Sequence, residues 1–145
     1  MTKKLIFTCI LLLTVAGLKA QTYCYYWYES AEDKGSGWQY SYSDYNDSYS
    51  FLKFTFKGDF LFDPIWYGEG SDRAWKLHSV ENDGYLIYRE YYKNIFGKWK
   101  LVDYSGLFIQ YYKVSGDRKK IVYCKVTESF TELNYFERCP DWNCR

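Results

Sequence analysis

The stretch FLKFTFKGDFLF, residues 51–62, decides the fold. Apolar and polar side chains alternate in its first half, Leu52, Phe54 and Phe56 against Lys53, Thr55 and Lys57. This alternation is typical of an antiparallel strand with one face in water. The segment KGD, residues 57–59, is a turn signal, and a second apolar run follows it at residues 60–62. The stretch therefore predicts two antiparallel strands joined by a tight turn.

The rest of the chain repeats this arrangement. Between residues 21 and 145 alanine occurs only twice, whereas Tyr, Phe, Trp, Val and Thr, which favour pleated sheets, are abundant. Turn clusters such as Asn82-Asp83-Gly84 separate short apolar runs. The predicted strands are residues 22–29, 38–43, 50–57, 60–62, 74–80, 85–92, 98–104, 107–114, 120–127 and 131–138. We therefore predict an all-β, single-domain antiparallel meander, whose curved sheet closes toward a small barrel or a two-layer sandwich.

Residues 1–20, MTKKLIFTCILLLTVAGLKA, have the layout of a secretory signal peptide. Two lysines precede an apolar run of about eleven residues, and small residues follow it. The run is shorter than the roughly 20 residues that a transmembrane helix needs. We predict cleavage after Ala20, a single all-β domain at residues 21–145 without a transmembrane segment, and a secreted or periplasmic location. An uncleaved N-terminal anchor is the alternative.

Four cysteines remain after the predicted cleavage: Cys24, Cys124, Cys139 and Cys144. An even number in an exported chain indicates disulfides, with three possible connectivities. The short loop from Cys139 to Cys144 could close on itself, which would join Cys24 to Cys124. The alternative is a four-cysteine metal site, but the chain has no C-x-x-C spacing. We predict neither a metal nor a cofactor.

The charged residues exclude some functions and leave others open. Residues 21–145 carry sixteen basic and eighteen acidic side chains, so binding to nucleic acid through phosphate neutralisation is not expected. Residues 93–125 nevertheless carry eight basic and two acidic side chains. This basic excess has two interpretations: the lysines lie at solvated strand edges and hairpin tips, or they form a patch that binds an acidic polymer. Carboxylates in predicted turns could serve a small hydrolase. These pairs are Asp59 with Asp63, Glu69 with Asp72, and Glu81 with Asp83.

Aromatic residues make up 23% of the chain. Residues 21–28 and 107–114 carry them on both faces of a predicted strand, which indicates either burial between two layers or a face offered to a partner. The loop DPIWYGEGSDR, residues 63–73, is the best candidate for a recognition surface, through Trp66, Tyr67 and Arg73. Trp142 is a weaker candidate.

No catalytic motif accompanies these aromatics, so we expect no catalytic residues. The prediction is an exported, non-catalytic protein that recognises a glycan or a protein through aromatic side chains. The alternatives are a structural, self-assembling envelope component and a small carboxylate-dependent hydrolase.

Overall fold

The computed structural model describes residues 19–42 and 51–140. Most of the predicted signal peptide, and the C-terminal residues Trp142 and Cys144, lie outside the described residues. The described part contains ten strands and no helix. The strands are β1 (Gln21–Asp33), β2 (Trp38–Tyr42), β3 (Phe51–Lys57), β4 (Phe60–Phe62), β5 (Arg73–Val80), β6 (Leu86–Lys93), β7 (Trp99–Leu101), β8 (Phe108–Val114), β9 (Lys120–Thr127) and β10 (Thr131–Arg138). The all-β prediction is confirmed.

The sheet closes into a barrel of eight antiparallel strands. Their order is β10-β9-β8-β6-β5-β4-β3-β1, and pairing between β10 and β1 closes the ring. Two strands lie outside the ring: β2 pairs with β1, and β7 pairs with β6. Closure of the ring decides between the two predicted architectures in favour of the barrel.

Two strands differ in length from their predictions by more than one residue. The β1 strand continues to Asp33, through the predicted turn at residues 31–37, because this half of it is hydrogen-bonded to β10 on one side and to β2 on the other. A register shift between Trp27 and Glu29 divides the two halves and increases the local twist. The β7 strand ends at Leu101 rather than residue 104. There the chain turns back toward β8, through residues Ser105 and Gly106 with positive φ.

Aromatic rings fill much of the barrel. The fully buried side chains are Tyr25, Phe54, Phe56, Leu61, Trp75, Tyr88, Tyr112, Val114 and Ile121. The Trp75 and Tyr112 rings meet edge to face, with centroids 4.9 Å apart, and Phe54 meets Tyr25 at 5.3 Å. Edge-to-face contacts of this kind stabilise a core beyond the burial of apolar area. Most of the aromatic excess inside the barrel is therefore packing.

The aromatic side chains predicted on both faces of residues 21–28 lie in β1. The Tyr25 ring is buried in the core, whereas Tyr28 lies half-buried on the other face. The Tyr28 ring packs there against Tyr26 of the same strand and against Tyr135 of the neighbouring strand β10, with ring centroids about 6 Å apart in both pairs. The second face of β1 is thus covered by neighbouring rings of the same sheet.

The predicted pairing of Cys24 with Cys124 is not formed. Cys124 is a buried free thiol, and burial raises its pKa. Across the sheet Cys124 faces Leu133, which faces Ala31 of β1, seven residues beyond Cys24. At about 3.3 Å per residue, this separation is far beyond disulfide reach. Cys24 instead lies beside the C-terminal segment, since the Cys139 N–H donates to its carbonyl at 2.9 Å.

Candidate functional site

The loop between β4 and β5, which the sequence singled out, is anchored to the barrel by Asp63. This buried carboxylate accepts the backbone N–H groups of Trp66 and Tyr67 through Oδ1, both at 3.0 Å. Its Oδ2 accepts the Tyr112 hydroxyl at 2.6 Å. Burial and the Asp63 charge raise the pKa of Tyr112. A carboxylate at this position therefore both shapes the loop and satisfies a core hydroxyl.

The predicted binding residues of this loop have different surroundings. Trp66 is exposed over 56% of its surface. Tyr67 is half-buried against Trp75, and its hydroxyl donates to Glu90. Arg73 also donates to Glu90, with Nη1 3.0 Å from Oε1. The structure thus brings Tyr67 and Arg73 together on one carboxylate, and Trp66 remains as the exposed ring. Trp142 lies outside the described residues.

Glu90, which the sequence analysis did not select, is the centre of a buried polar cluster. Only 2% of its surface is exposed, and four side chains donate to its two oxygens. The donors are Tyr67 and Arg73 on Oε1, and Tyr104 and Gln110 on Oε2. The Tyr123 hydroxyl donates to Oε1 of the Gln110 side chain at 2.8 Å and so orients the side-chain amide.

The protonation of this cluster follows from its partners. Burial by itself raises the pKa of Glu90, but the four donors outweigh it and lower that pKa below its ordinary value. Burial and the bond to Glu90 raise the pKa of Tyr104 to about 12. Glu90 is therefore an ionised carboxylate held by neutral phenols, an amide and a guanidinium. Such a group is a poor general acid at neutral pH.

Glu90 lies at the point where the partner of β6 changes. The β6 strand pairs with β8 as far as Arg89 and with β7 from Tyr91 onward, so Glu90 stands where the sheet forks. Its carbonyl accepts the Val102 N–H at 2.9 Å. A cavity of about 360 Å³ lies in the fork beside Tyr104, Phe108 and Gln110. Two of the four donors, Tyr104 and Gln110, line this cavity, and all four already engage the Glu90 carboxylate.

A second cavity lies on the outer side of the barrel and is lined by aromatic rings. Phe60 and Phe62 flank the buried Leu61 in β4, so both rings share the outer face of the sheet. Their centroids are 6.1 Å apart and the rings are nearly parallel. Trp99 of β7 approaches Phe60 at 5.3 Å. These three half-buried rings line a groove of about 610 Å³, which we name the aromatic groove.

The rim of the aromatic groove is polar. Lys57 and Glu69 form an ion pair there, and the Lys93 ammonium lies 5.2 Å from the centroid of the Trp99 ring. Asp59 and Ser71 complete the rim with a carboxylate and a hydroxyl. An apolar concave surface with a few polar groups at its edge is the usual form of a small-ligand site. The negative faces of the rings suit the positively polarised C–H groups of a sugar.

The sequence signal for this groove was only partial. The triplet Phe60-Leu61-Phe62 predicts two phenylalanine rings on one face of a strand, which sequence analysis could have noted. Trp99 comes from a strand 37 residues further along the chain. It contacts Phe60 because β7 pairs with β6 outside the eight-strand ring, and no local pattern predicts that pairing.

The carboxylates of the predicted pairs have different surroundings. Glu81 and Asp83 both face the Lys113 ammonium, at 2.8 and 3.7 Å. Asp63 is buried, whereas Asp59 is exposed. The aromatic groove does collect one carboxylate from each of two pairs, Asp59 and Glu69.

No family model, curated protein or solved structure matches this chain. In residues 19–42 and 51–140, no helix is long and apolar enough to cross a membrane. The same residues contain no group of three or more His, Cys, Asp or Glu side chains that could hold a metal ion.

Proposed function

We propose that the chain is an exported, non-catalytic binding protein that holds a glycan in the aromatic groove. The observation that carries the proposal is the convergence of Phe60, Phe62 and Trp99 in one concave surface with a polar rim. The sugar would stack on the rings, and its hydroxyls would exchange hydrogen bonds with the rim. The layout of residues 1–20 supports export.

A binding role agrees with the state of the two buried carboxylates. Asp63 and Glu90 are both fully engaged by hydrogen-bond donors. Glu69, at the groove, is paired with Lys57. Proton transfer would require one of these bonds to be broken, which costs free energy.

The experiment is a glycan array on the protein expressed from the full chain, followed by titration calorimetry with the best ligand. Trp99→Ala should lower the affinity about tenfold or more, because stacking area is lost. Trp66→Ala is the matched control, since it removes an exposed tryptophan that does not line the groove. Thermal unfolding would check that each variant folds.

The outcomes separate the candidates. Loss of binding in Trp66→Ala but not in Trp99→Ala would move the site to the loop at residues 63–73. Release of shorter sugars from the bound glycan, abolished in Glu69→Gln, would indicate a hydrolase. Absence of binding to any glycan would contradict the proposal.

The second candidate function is self-assembly, and β2 favours it. Trp38, Tyr40 and Tyr42 are all exposed, and the Tyr40 and Tyr42 rings stack at 6.4 Å. Among the described strands, β2 pairs with β1 alone, so its other edge offers backbone groups to a further strand. Sedimentation at rising concentration tests this. We expect association that Tyr40→Ser weakens, and a monomer at every concentration would contradict it.

We also propose that a disulfide links Cys24 to the C-terminal Cys144, and that Cys124 stays reduced. The hydrogen bond from Cys139 to Cys24 supports this, because the C-terminal segment begins beside β1. Peptide mapping of the alkylated, unreduced protein should find Cys24 linked to the last residues. A linked peptide of Cys24 and Cys124 would contradict the proposal.

Export is tested separately. N-terminal sequencing of protein from the periplasm or the medium should begin at Gln21. Protein that stays in the cytoplasm with Met1 in place would contradict the predicted signal peptide.

A further inference from the structure

The turn between β6 and β7 presents two large apolar side chains to water. Ile95 is 94% exposed and Phe96 is 80% exposed. Single exposed apolar residues are common, but two adjacent ones at the end of a hairpin are not explained by packing. They stand on a convex tip, not in a groove.

The backbone of this turn is held by its own hydrogen bonds. Asn94 Oδ1 accepts the N–H groups of Phe96 and Lys98 at 3.0 and 2.9 Å. The Asn94 N–H donates to the Lys98 carbonyl, and the Gly97 N–H donates to the Asn94 carbonyl, both at 2.9 Å. Gly97 has a φ of 73°, which favours glycine. The turn is thus a formed structure that presents Ile95 and Phe96 outward.

The charged side chains of the turn itself and of the residues next to it in sequence are all basic. Residues 91–102 contain three lysines, Lys93, Lys98 and Lys100, and no acidic residue. Glu90, just before them, is buried and engaged by Arg73 and three neutral donors. Asp72, across the sheet, accepts the Lys93 N–H through its backbone carbonyl. This local positive charge contrasts with the slight acidic excess of residues 21–145.

We propose that the β6–β7 hairpin is a membrane anchor that inserts Ile95 and Phe96 into the surface of an anionic lipid bilayer. The apolar side chains at the tip would contact the acyl chains of the bilayer. The three lysines near the tip would contact its negatively charged headgroups. A lysine ammonium can also lie against an aromatic face, as the Lys93 ammonium does 5.2 Å from the centroid of the Trp99 ring. The proposal does not depend on the identity of the groove's ligand, although Lys93 belongs both to the basic residues near the tip and to the rim of the groove.

The test is co-sedimentation of the protein, expressed from the full chain, with vesicles of phosphatidylglycerol and phosphatidylcholine. Pure phosphatidylcholine vesicles are the comparison. We expect binding to the anionic vesicles that rising salt weakens. The double variant Ile95→Ser, Phe96→Ser should lower that affinity about tenfold or more, and Lys98→Gln should lower it about fivefold.

Val80→Ser is the matched control. It removes an exposed apolar side chain from the end of β5, next to a different turn, and should leave binding unchanged. Equal binding of the double variant and the original protein would overturn the proposal, as would a failure to bind anionic vesicles. Equal binding to both kinds of vesicle, unaffected by Lys98→Gln, would contradict the role of charge.

Insertion has a readout besides affinity. A Phe96→Trp variant should gain fluorescence quenching by lipids brominated in their acyl chains, relative to the original protein. No gain in quenching on vesicles that bind the variant would show that the tip does not enter the bilayer.

Discussion

The loop after β4 and the turn after β6 both present apolar side chains to solvent, but they are held in different ways. Each begins with an acid or amide side chain whose Oδ1 accepts two backbone N–H groups, Asp63 in the loop and Asn94 in the turn. Asp63 also binds Tyr112, and the loop reaches Glu90 through Tyr67. The capping bonds of the Asn94 turn stay within residues 94–98.

The two caps differ in whether the capping side chain also binds the core. A cap that also binds a core hydroxyl attaches its loop to the barrel and makes the loop part of the folded core. A cap that closes on its own turn gives a rigid projection instead. If this distinction holds, loss of a cap that binds the core should destabilise the protein more than loss of a cap that closes on its own turn.

Removal of the carboxylate at Glu90 should have the largest effect. Glu90→Ala leaves Tyr67, Tyr104, Gln110 and Arg73 without their acceptor, and we expect a loss of about 3–5 kcal/mol in the free energy of unfolding. Arg73 is half exposed, so water compensates part of its loss. Urea unfolding measures the change. A loss below about 1 kcal/mol would show that the cluster does not hold the loop.

Asp63→Ala should cost somewhat less, about 2–3 kcal/mol, because the buried Tyr112 hydroxyl and two backbone N–H groups lose their acceptor. Asp63→Asn is the control, since its amide oxygen can still accept either set of bonds. Hydrogen exchange at the Trp66 and Tyr67 amides, whose N–H groups bind Asp63, would show whether the loop also loosens. Equal stability of Asp63→Ala and the original protein would contradict the claim that Asp63, unlike Asn94, attaches its loop to the core.

The Glu90 cluster should also make the protein sensitive to acid. The folded state lowers the pKa of Glu90, so its stabilisation is complete above the unfolded-state pKa of about 4.3. It is lost as the pH falls through the lower, folded-state pKa. Unfolding at several pH values should show a smaller decline below about pH 4 for Glu90→Gln than for the original protein. Parallel curves would contradict the lowered pKa.

Asn94→Ala should have the smallest effect, about 1 kcal/mol, because only local bonds in a solvent-exposed turn are lost. Asn94→Asp, which keeps the acceptor oxygen, is the control. Hydrogen exchange at the Phe96 and Lys98 amides should accelerate while the barrel strands stay protected. A loss as large as that of Asp63→Ala would mean that the turn also supports the core.

The strand pattern was predictable because each strand carries its own alternation and its own turn residues. The segment at residues 51–62 shows both, and each of the ten predicted strands overlaps a strand of the structure. The error at residues 31–37 came from neighbours that the local sequence does not contain. The chain continues as a strand there because β10 and β2 both bind it.

The candidate sites were less predictable, because their members come from distant segments. The loop at residues 63–73 was selected for its aromatics, but its Tyr67 and Arg73 serve Glu90, which lies on another strand. The glutamate gave no signal, because a single acid in an alternating strand normally faces water.

The all-β class and the number of strands follow from the sequence, because alternation and turn chemistry are properties of neighbouring residues. Tertiary structure decided the closure of the barrel, the burial of Asp63 and Glu90 and the meeting of Phe60, Phe62 and Trp99. These features depend on which strands pair across the sheet. That choice minimises exposed backbone and unpaired charge over the whole chain, and no short segment encodes it.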